Sequence, residues 1–480
     1  MKKLRFALFG AVVAALVGAS SAAAFTPTNQ YYAKQWYLGM DNAFDAWDAP
    51  PPFEPVKVAV VDSGVDCSLP DFDQQIAKVR SFVGGSACMD IQGHGTIVAG
   101  EIAGALDTAG VVGLAYRSQL LVAKVVANDG TIPLKAEAAG IRWAVNQGAK
   151  VVNLSFGAVR DPGARSLDSY SKVEAKAVAY AVKKGAVVVA AVGNSDEAYT
   201  TPWPYASWPA ALPHVIGVGA LTHSGKVPDF SDQDQVFVDI AAPGVGIFST
   251  YPKDLTSAQP ACEPQGYTDC AIGDYRHPEG TSFAAPQVSA AAAVLLGLYP
   301  SLTSSQVSRI LERHTDDVNA SNGCADCPDG RDKYSGWGRL DVTKAVSFLS
   351  SGNPIPPSDR FEPNDKVSQA HKLWGSRPRV GATLDFWDDP VDVYRVRLER
   401  GQRLHARLAA GWANASVGLT LLRPGPKSMH GRSSLAARTA HPGPIQRLSY
   451  RAPRGGWYDL KLRIAHHGGG HYALDLTKSS

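Results

Sequence analysis

Val56-Lys57-Val58-Ala59-Val60-Val61-Asp62 is the stretch whose reading decides the fold. The run is almost wholly apolar and shows no polar alternation, which fits a strand covered on both faces. A carboxylate that ends such a run has no structural reason to sit there unless something pairs with it. The pattern recurs at 120–126, 151–155, 186–191 and 215–220, with helical stretches at 136–147 and 172–184 between the runs. Strands of this kind alternating with helices predict an α/β fold, a parallel sheet with helices on both faces. In such sheets functional groups gather beyond the carboxyl ends of the strands, and Asp62, Ser155 and Asn194 all fall there.

Asp62 belongs to the first of three short segments in the chain order Asp, His, Ser. These are Val61-Asp62-Ser63-Gly64-Val65-Asp66, Gly93-His94-Gly95-Thr96 and Gly280-Thr281-Ser282-Phe283-Ala284-Ala285-Pro286. A serine hydroxyl is a poor nucleophile at neutral pH. It needs a base to take its proton, and the base needs a carboxylate to fix its tautomer and stabilise its cation. The spacing opens one helix at His94 and another at Ser282, so that backbone N–H groups point at the nucleophile. Ala191-Val192-Gly193-Asn194-Ser195 follows a strand and supplies an amide donor for an oxyanion.

Together these segments resemble the subtilisin-type (subtilase) serine endopeptidases. The resemblance implies Asp62, His94 and Ser282 as the catalytic residues and Asn194 as the oxyanion-hole asparagine. It also implies Ser155, Phe156 and Gly157 as a substrate strand, pairing with an extended peptide by β-augmentation. Because no acidic residue is evident in the matching pocket segments, a broad apolar or aromatic preference is expected at the first subsite rather than the paired-basic cleavage of a convertase. The same resemblance implies a structural Ca²⁺ held by Asp71 and Asp107, with a side-chain oxygen from Gln35.

Departures from the family pattern carry expectations of their own. Phe283 stands where Met usually follows the nucleophile, so sulfoxide cannot form there and activity is expected to survive peroxide; rapid peroxide inactivation would contradict this. Gln287 and Ile97 stand where His is common. Tyr31 to Leu38 resembles the mature N-terminal segment, which leaves no room for the usual prodomain and raises the expectation that the enzyme folds unaided or with help from its C-terminal part.

The chain ends point to export. Residues 1–24 read as a signal peptide, with Lys2, Lys3 and Arg5 before an apolar stretch and Ser21-Ala22-Ala23-Ala24 at its end. The peptidase domain is expected at 25–349 and a Pro/Ser-rich linker at 350–360. From 361 to 480 short alternating segments, such as Tyr394-Val396-Leu398 and Tyr472-Leu474-Leu476, predict a small all-β, jelly-roll-like antiparallel sandwich. Its Phe361-Glu362-Pro363-Asn364-Asp365 and Asp389-Pro390-Val391-Asp392-Val393-Tyr394 resemble the bacterial pre-peptidase C-terminal (PPC) domain.

Six cysteines in an exported chain favour disulfides. The sequence leaves the pairing open; the local pairs Cys67–Cys88, Cys262–Cys270 and Cys324–Cys327 are the expected ones, and the second Cys-x-x-Cys needed for a zinc site is missing. The net charge of +3 hides 19 Lys+Arg against 9 Asp+Glu beyond residue 360. A basic tail suits an anionic cell-surface polymer, or is simply a solvated face. No nucleic-acid partner is expected, and a monomer is. Two other functions stay open: a peptide ligase or cyclase working through the same acyl-enzyme, and a surface-binding protein acting through the basic domain.

Overall fold

The computed structural model describes residues 24–479 apart from 196–197, 259–267, 270–274, 353–359, 363, 387–388, 412–414, 426–434, 440 and 466–468. The expected signal peptide up to residue 23, the Cys262–Cys270 pair and most of the expected linker lie outside the described residues.

Seven strands form one parallel sheet: β1 (Lys57–Asp62), β2 (Ile76–Ser81), β3 (Gln119–Lys124), β4 (Val151–Leu154), β5 (Val187–Ala191), β6 (Val215–Leu221) and β7 (Ile240–Pro243). Their order is β2-β3-β1-β4-β5-β6-β7. Alternate residues of β1 enter opposite cores. Val58 and Val60 pack with helices α2 (His94–Ala103) and α6 (Thr281–Leu298), while Ala59 and Val61 pack with α3 (Leu134–Asn146) and α4 (Lys172–Lys183). Burial on both faces is why the run lacks alternation. Helix α1 (Trp36–Met40) precedes the sheet; α5 (Lys253–Ala258), α7 (Ser304–Arg313) and α8 (Val342–Ser350) follow it.

Two of the seven strands escaped the sequence reading. β2 is one of the two edge strands, and its exposed Ala77, Lys78 and Arg80 dilute the apolar signal. β7 is four residues long and ends in a proline. A small sheet, β8 (Ser249–Thr250), β9 (Thr268–Asp269) and β10 (Tyr275–Pro278), flanks α2.

Beyond the α/β part, nine strands form two sheets around a separate core. The strands are β11 (His371–Leu373), β12 (Arg379–Asp385), β13 (Val391–Leu398), β14 (Arg403–Ala410), β15 (Val417–Leu422), β16 (Leu435–Arg438), β17 (Ile445–Arg451), β18 (Gly456–Ile464) and β19 (Gly469–Ser479). One sheet runs β11-β13-β18-β15-β16 and the other β12-β19-β14-β17. Tyr394, Leu404, Leu460 and Leu474 meet between them. The pairing is antiparallel except for β11 with β13, which is parallel. Arg313 of α7 reaches Asp385 of β12 at 2.8 Å, an ion pair that joins the two parts, and His214 Nε2 lies 3.6 Å from both Glu362 and Asp365.

Cysteine pairs Cys67–Cys88 and Cys324–Cys327 are bonded, with Cα atoms 5.0 and 5.3 Å apart.

Candidate active site

β1 delivers Asp62 to the carboxyl edge of the sheet, buried to within 2%. His94 is the first residue of α2, and its Nδ1 stands 2.9 Å from Asp62 Oδ1 and 3.1 Å from Oδ2. The close approach of α2 to β1 requires glycine at 95, since a Cβ there would collide with the Gly64 carbonyl. Asp90 holds the helix start by accepting from Gly93 N–H, Thr96 N–H and the Thr96 hydroxyl. Burial opposes protonation of His94, but the Asp62 charge and hydrogen bond, with a contribution from Asp90, prevail and raise its pKa above 6.5.

Ser282 sits in the first turn of α6 and lines the same cleft as Asp62 and His94. Its hydroxyl donates to the Ser155 carbonyl at 2.9 Å, and the Ser155 hydroxyl donates to the Ser282 carbonyl at 2.7 Å. These reciprocal bonds tie the end of β4 to the start of α6. Behind them Ser289 donates to Asn153, and Asn153 donates to the Ser155 hydroxyl, each at 2.8 Å. Asn194 Oδ1 accepts from the Thr281 N–H and hydroxyl, both at 3.0 Å. Its Nδ2 is thereby presented to the cleft it lines. Gly193 has φ +107°, and a Cβ there would strike the Ser207 and Asp232 side chains. Phe156 and Gly157 continue along the cleft, and Ala158 bridges to Trp208.

The model described as the subtilase family matches residues 54–338. This chain belongs to the subtilase family. The thermophilic serine proteinase of Bacillus sp. (strain AK1) is 31% identical over 330 residues, covering 68% of this chain and 70% of that one. Subtilisin DY of Bacillus licheniformis is 34% identical over 253 residues, covering 52% and 80%. The cell wall-associated protease of Bacillus subtilis (strain 168) is 34% identical over 395 residues, covering 77% and 40%. Among solved structures, the proteases from Pseudoalteromonas arctica match with a TM-score of 0.54 and 25% identity, covering 67% of this chain and 99% of that one. As a subtilase, the protein is a serine endopeptidase of subtilisin-like fold.

Two basic and acidic features of this subtilase were not singled out from its sequence. Lys124, buried at the end of β3, donates from Nζ to the Ser63 carbonyl at 2.7 Å and the Met89 carbonyl at 3.1 Å. Burial lowers its pKa, and the charges of Asp90 and Asp62 oppose that. A lysine inside the apolar run 120–126 was the available signal. The other feature is the pair Glu137 on α3 and Glu174 on α4, which line the cleft although the reading found no acidic residue in its segments.

The loops carrying Asp71 and Asp107 place oxygens around one point. The Asn29 side-chain nitrogen lies 2.9 Å from the Ala105 carbonyl, 3.2 Å from Asp107 Oδ1, 2.7 Å from the Ala109 carbonyl and 3.1 Å from the Val111 carbonyl. An amide nitrogen has two protons for these four acceptors. Such an all-oxygen set fits a hard cation better than it fits an NH₂ group. Asp71 Oδ1 takes the Val111 N–H at 2.8 Å, and burial raises its pKa against the Val111 and Tyr275 hydrogen bonds. Gln35 is not in this set. Its amide oxygen accepts from Val112 N–H and its nitrogen donates to the Val112 carbonyl and the Tyr37 hydroxyl, so its capacity is taken up by backbone and ring. Asn29 stands where Gln35 was expected.

Proposed function

We propose that Asp62, His94 and Ser282 are the catalytic groups of a secreted endopeptidase that cleaves through an acyl-enzyme. The observation that carries this reading is the convergence of all three on one cleft, with Asn194 pinned by Thr281 so that its N–H₂ faces the same space. Ser282 Oγ attacks the peptide carbonyl carbon while His94 Nε2 takes its proton, and Asp62 holds the imidazole through Nδ1–H. Asn194 Nδ2–H and backbone N–H groups at the α6 start stabilise the oxyanion. His94 then gives the proton to the leaving amine, the C–N bond breaks, and water repeats the sequence on the ester to release the acid.

An extended peptide lies along Ser155-Phe156-Gly157, with an apolar or aromatic residue preferred next to the scissile bond. The oxygens of Asp107, Ala105, Ala109 and Val111, with Asn29 and Asp71 beside them, would hold a structural Ca²⁺ whose charge offsets carboxylate burial. The nine-strand part is a PPC-like module, and its basic surface suits an anionic cell-surface polymer. Export is supported by the residue 1–24 pattern and by relatives such as the cell wall-associated protease.

The test is a fluorophosphonate probe followed by mass spectrometry of a digested peptide library. Labelling at Ser282 with hydrolytic products is expected. An unlabelled Ser282 would overturn the reading, and ligated products would change the acceptor from water to an amine.

A further inference from the structure

The cleft of about 560 Å³ that holds Asp62, His94 and Ser282 is also lined by Glu137 and Glu174. These two carboxylic residues are 2% and 4% exposed. They lie on the apolar stripes of their helices. Glu137 leads to Ile141 and Ala144, and Glu174 leads to Ala177, Val178 and Ala181, all buried. Neither side chain has an ion-pair partner among the described residues, and Glu137 Oε1 is buried without a hydrogen-bond donor. Asp90, also buried, takes four N–H or O–H donors, whereas Glu137 Oε1 shares its lack of a donor with oxygens of Asp41 and Glu101, neither of which lines the cleft. Burial, and then the neighbouring Glu174 charge, raise the pKa of Glu137, and burial raises that of Glu174 as well.

As a mere link between two helices this pair is a poor device, because well-packed apolar residues of similar size would serve as well or better. What the pair lacks is a counter-cation, and it lines the cleft in which a substrate side chain could supply one. The position matters too. α3 and α4 cover one face of the sheet, while α2 and α6, which carry His94 and Ser282, cover the other. The cleft therefore runs over the carboxyl edge of the sheet, and the two glutamates sit across that edge from the nucleophile.

We infer that Glu137 and Glu174 form the anionic floor of a substrate subsite that takes a lysine or arginine side chain at a position separated from the scissile bond. This rests on the peptidase reading above and adds a substrate class to it. The entering ammonium or guanidinium favours ionisation of both groups, any proton on the pair leaving for bulk water, so that two carboxylates face one cation. Residues 155–158 and the segment around Gly130 and Ile132 flank the path of the extended peptide to that floor.

The experiment uses internally quenched peptides with a single Lys or norleucine placed at successive positions, with active enzyme counted by fluorophosphonate labelling. At one position not adjacent to the cleaved bond, Lys is expected to raise kcat/KM by roughly ten-fold or more over norleucine. In the Glu137→Leu/Glu174→Leu double variant the ratio is expected to fall below one. The isosteric Glu137→Gln should give a smaller ratio than wild type and guards against a folding failure of the double variant. Cleavage with a Lys-to-norleucine ratio near one at every such position would overturn the subsite alone, as would a ratio that survives in both variants. No cleavage of any peptide and no labelling would overturn the peptidase reading, and the subsite with it.

Discussion

Asn194 has its oxygen committed to Thr281, so truncation removes a donor whose direction is already set. Asn194→Ala is expected to lower kcat by about 100- to 1000-fold, the range typical of a lost oxyanion donor, with little change in KM. Steady-state kinetics on one peptide decides it; equal losses in both parameters, or none, would remove Asn194 from that role. In the proposed mechanism His94 must be neutral to accept the Ser282 proton, and its pKa is raised by the Asp62 charge and hydrogen bond against burial. The acidic limb of the kcat/KM profile should therefore have its midpoint above pH 6.5, with activity lost as pH falls through it. Asp62→Asn removes the charge that holds the midpoint up and leaves the imidazole in the wrong tautomer, and is expected to cost about 10,000-fold in kcat.

At the scale of elements, the loops around Asn29, Asp71 and Asp107 gather four oxygens on one amide nitrogen. Removing the cation proposed there is expected to lower thermal stability. At free calcium of 100 times Kd the stabilisation is about 2.7 kcal/mol, so EDTA should reduce Tm by several degrees, and Asn29→Leu should abolish the calcium response. A Tm indifferent to EDTA would count against the site.

The same loops show what a sequence can and cannot convey. β1, β3, β4, β5 and β6 were legible because two-sided burial writes itself as a continuous apolar run. β2 and β7 were not, one being an exposed edge and the other ending in Pro243. Residues joined by local chemistry, such as Asp62 at a strand end and His94 between glycines, could be read from their neighbours. Asn29 could not, because its partners are carbonyls that every residue type carries. Glu137 and Glu174 left a signal in their helical spacing, but their meeting depends on how α3 and α4 pack, which neither segment records alone.

Over the whole molecule, the Arg313–Asp385 ion pair links the α/β part to the nine-strand part. Arg313 lies against the Trp337 ring at 3.5 Å while bonding Asp385, which is 2% exposed. In a Ser282→Ala background, Arg313→Ala is expected to weaken this junction by about 1.5–3 kcal/mol. Hydrogen exchange at the β12 amides should then accelerate while exchange in β1 is unchanged; parallel acceleration in both would mean that the two parts unfold as one unit.

Helix α6 is buried along its length except at Ser282 and Leu298, and it packs on β4, β5, β6 and β7. It is apolar and long enough to cross a membrane by composition, but it is enclosed by protein. Its first turn carries Ser282, the proposed nucleophile, while His94 and Asn194, the proposed base and oxyanion donor, arrive from segments nearly two hundred and nearly ninety residues earlier in the chain. A half-folded copy therefore has no weapon: until the central helix is enclosed, Ser282 has no fixed relation to His94 or Asn194. If the proposed roles hold, cleaving activity can appear only after α6 is enclosed, so the last folding step is also the step that arms the molecule.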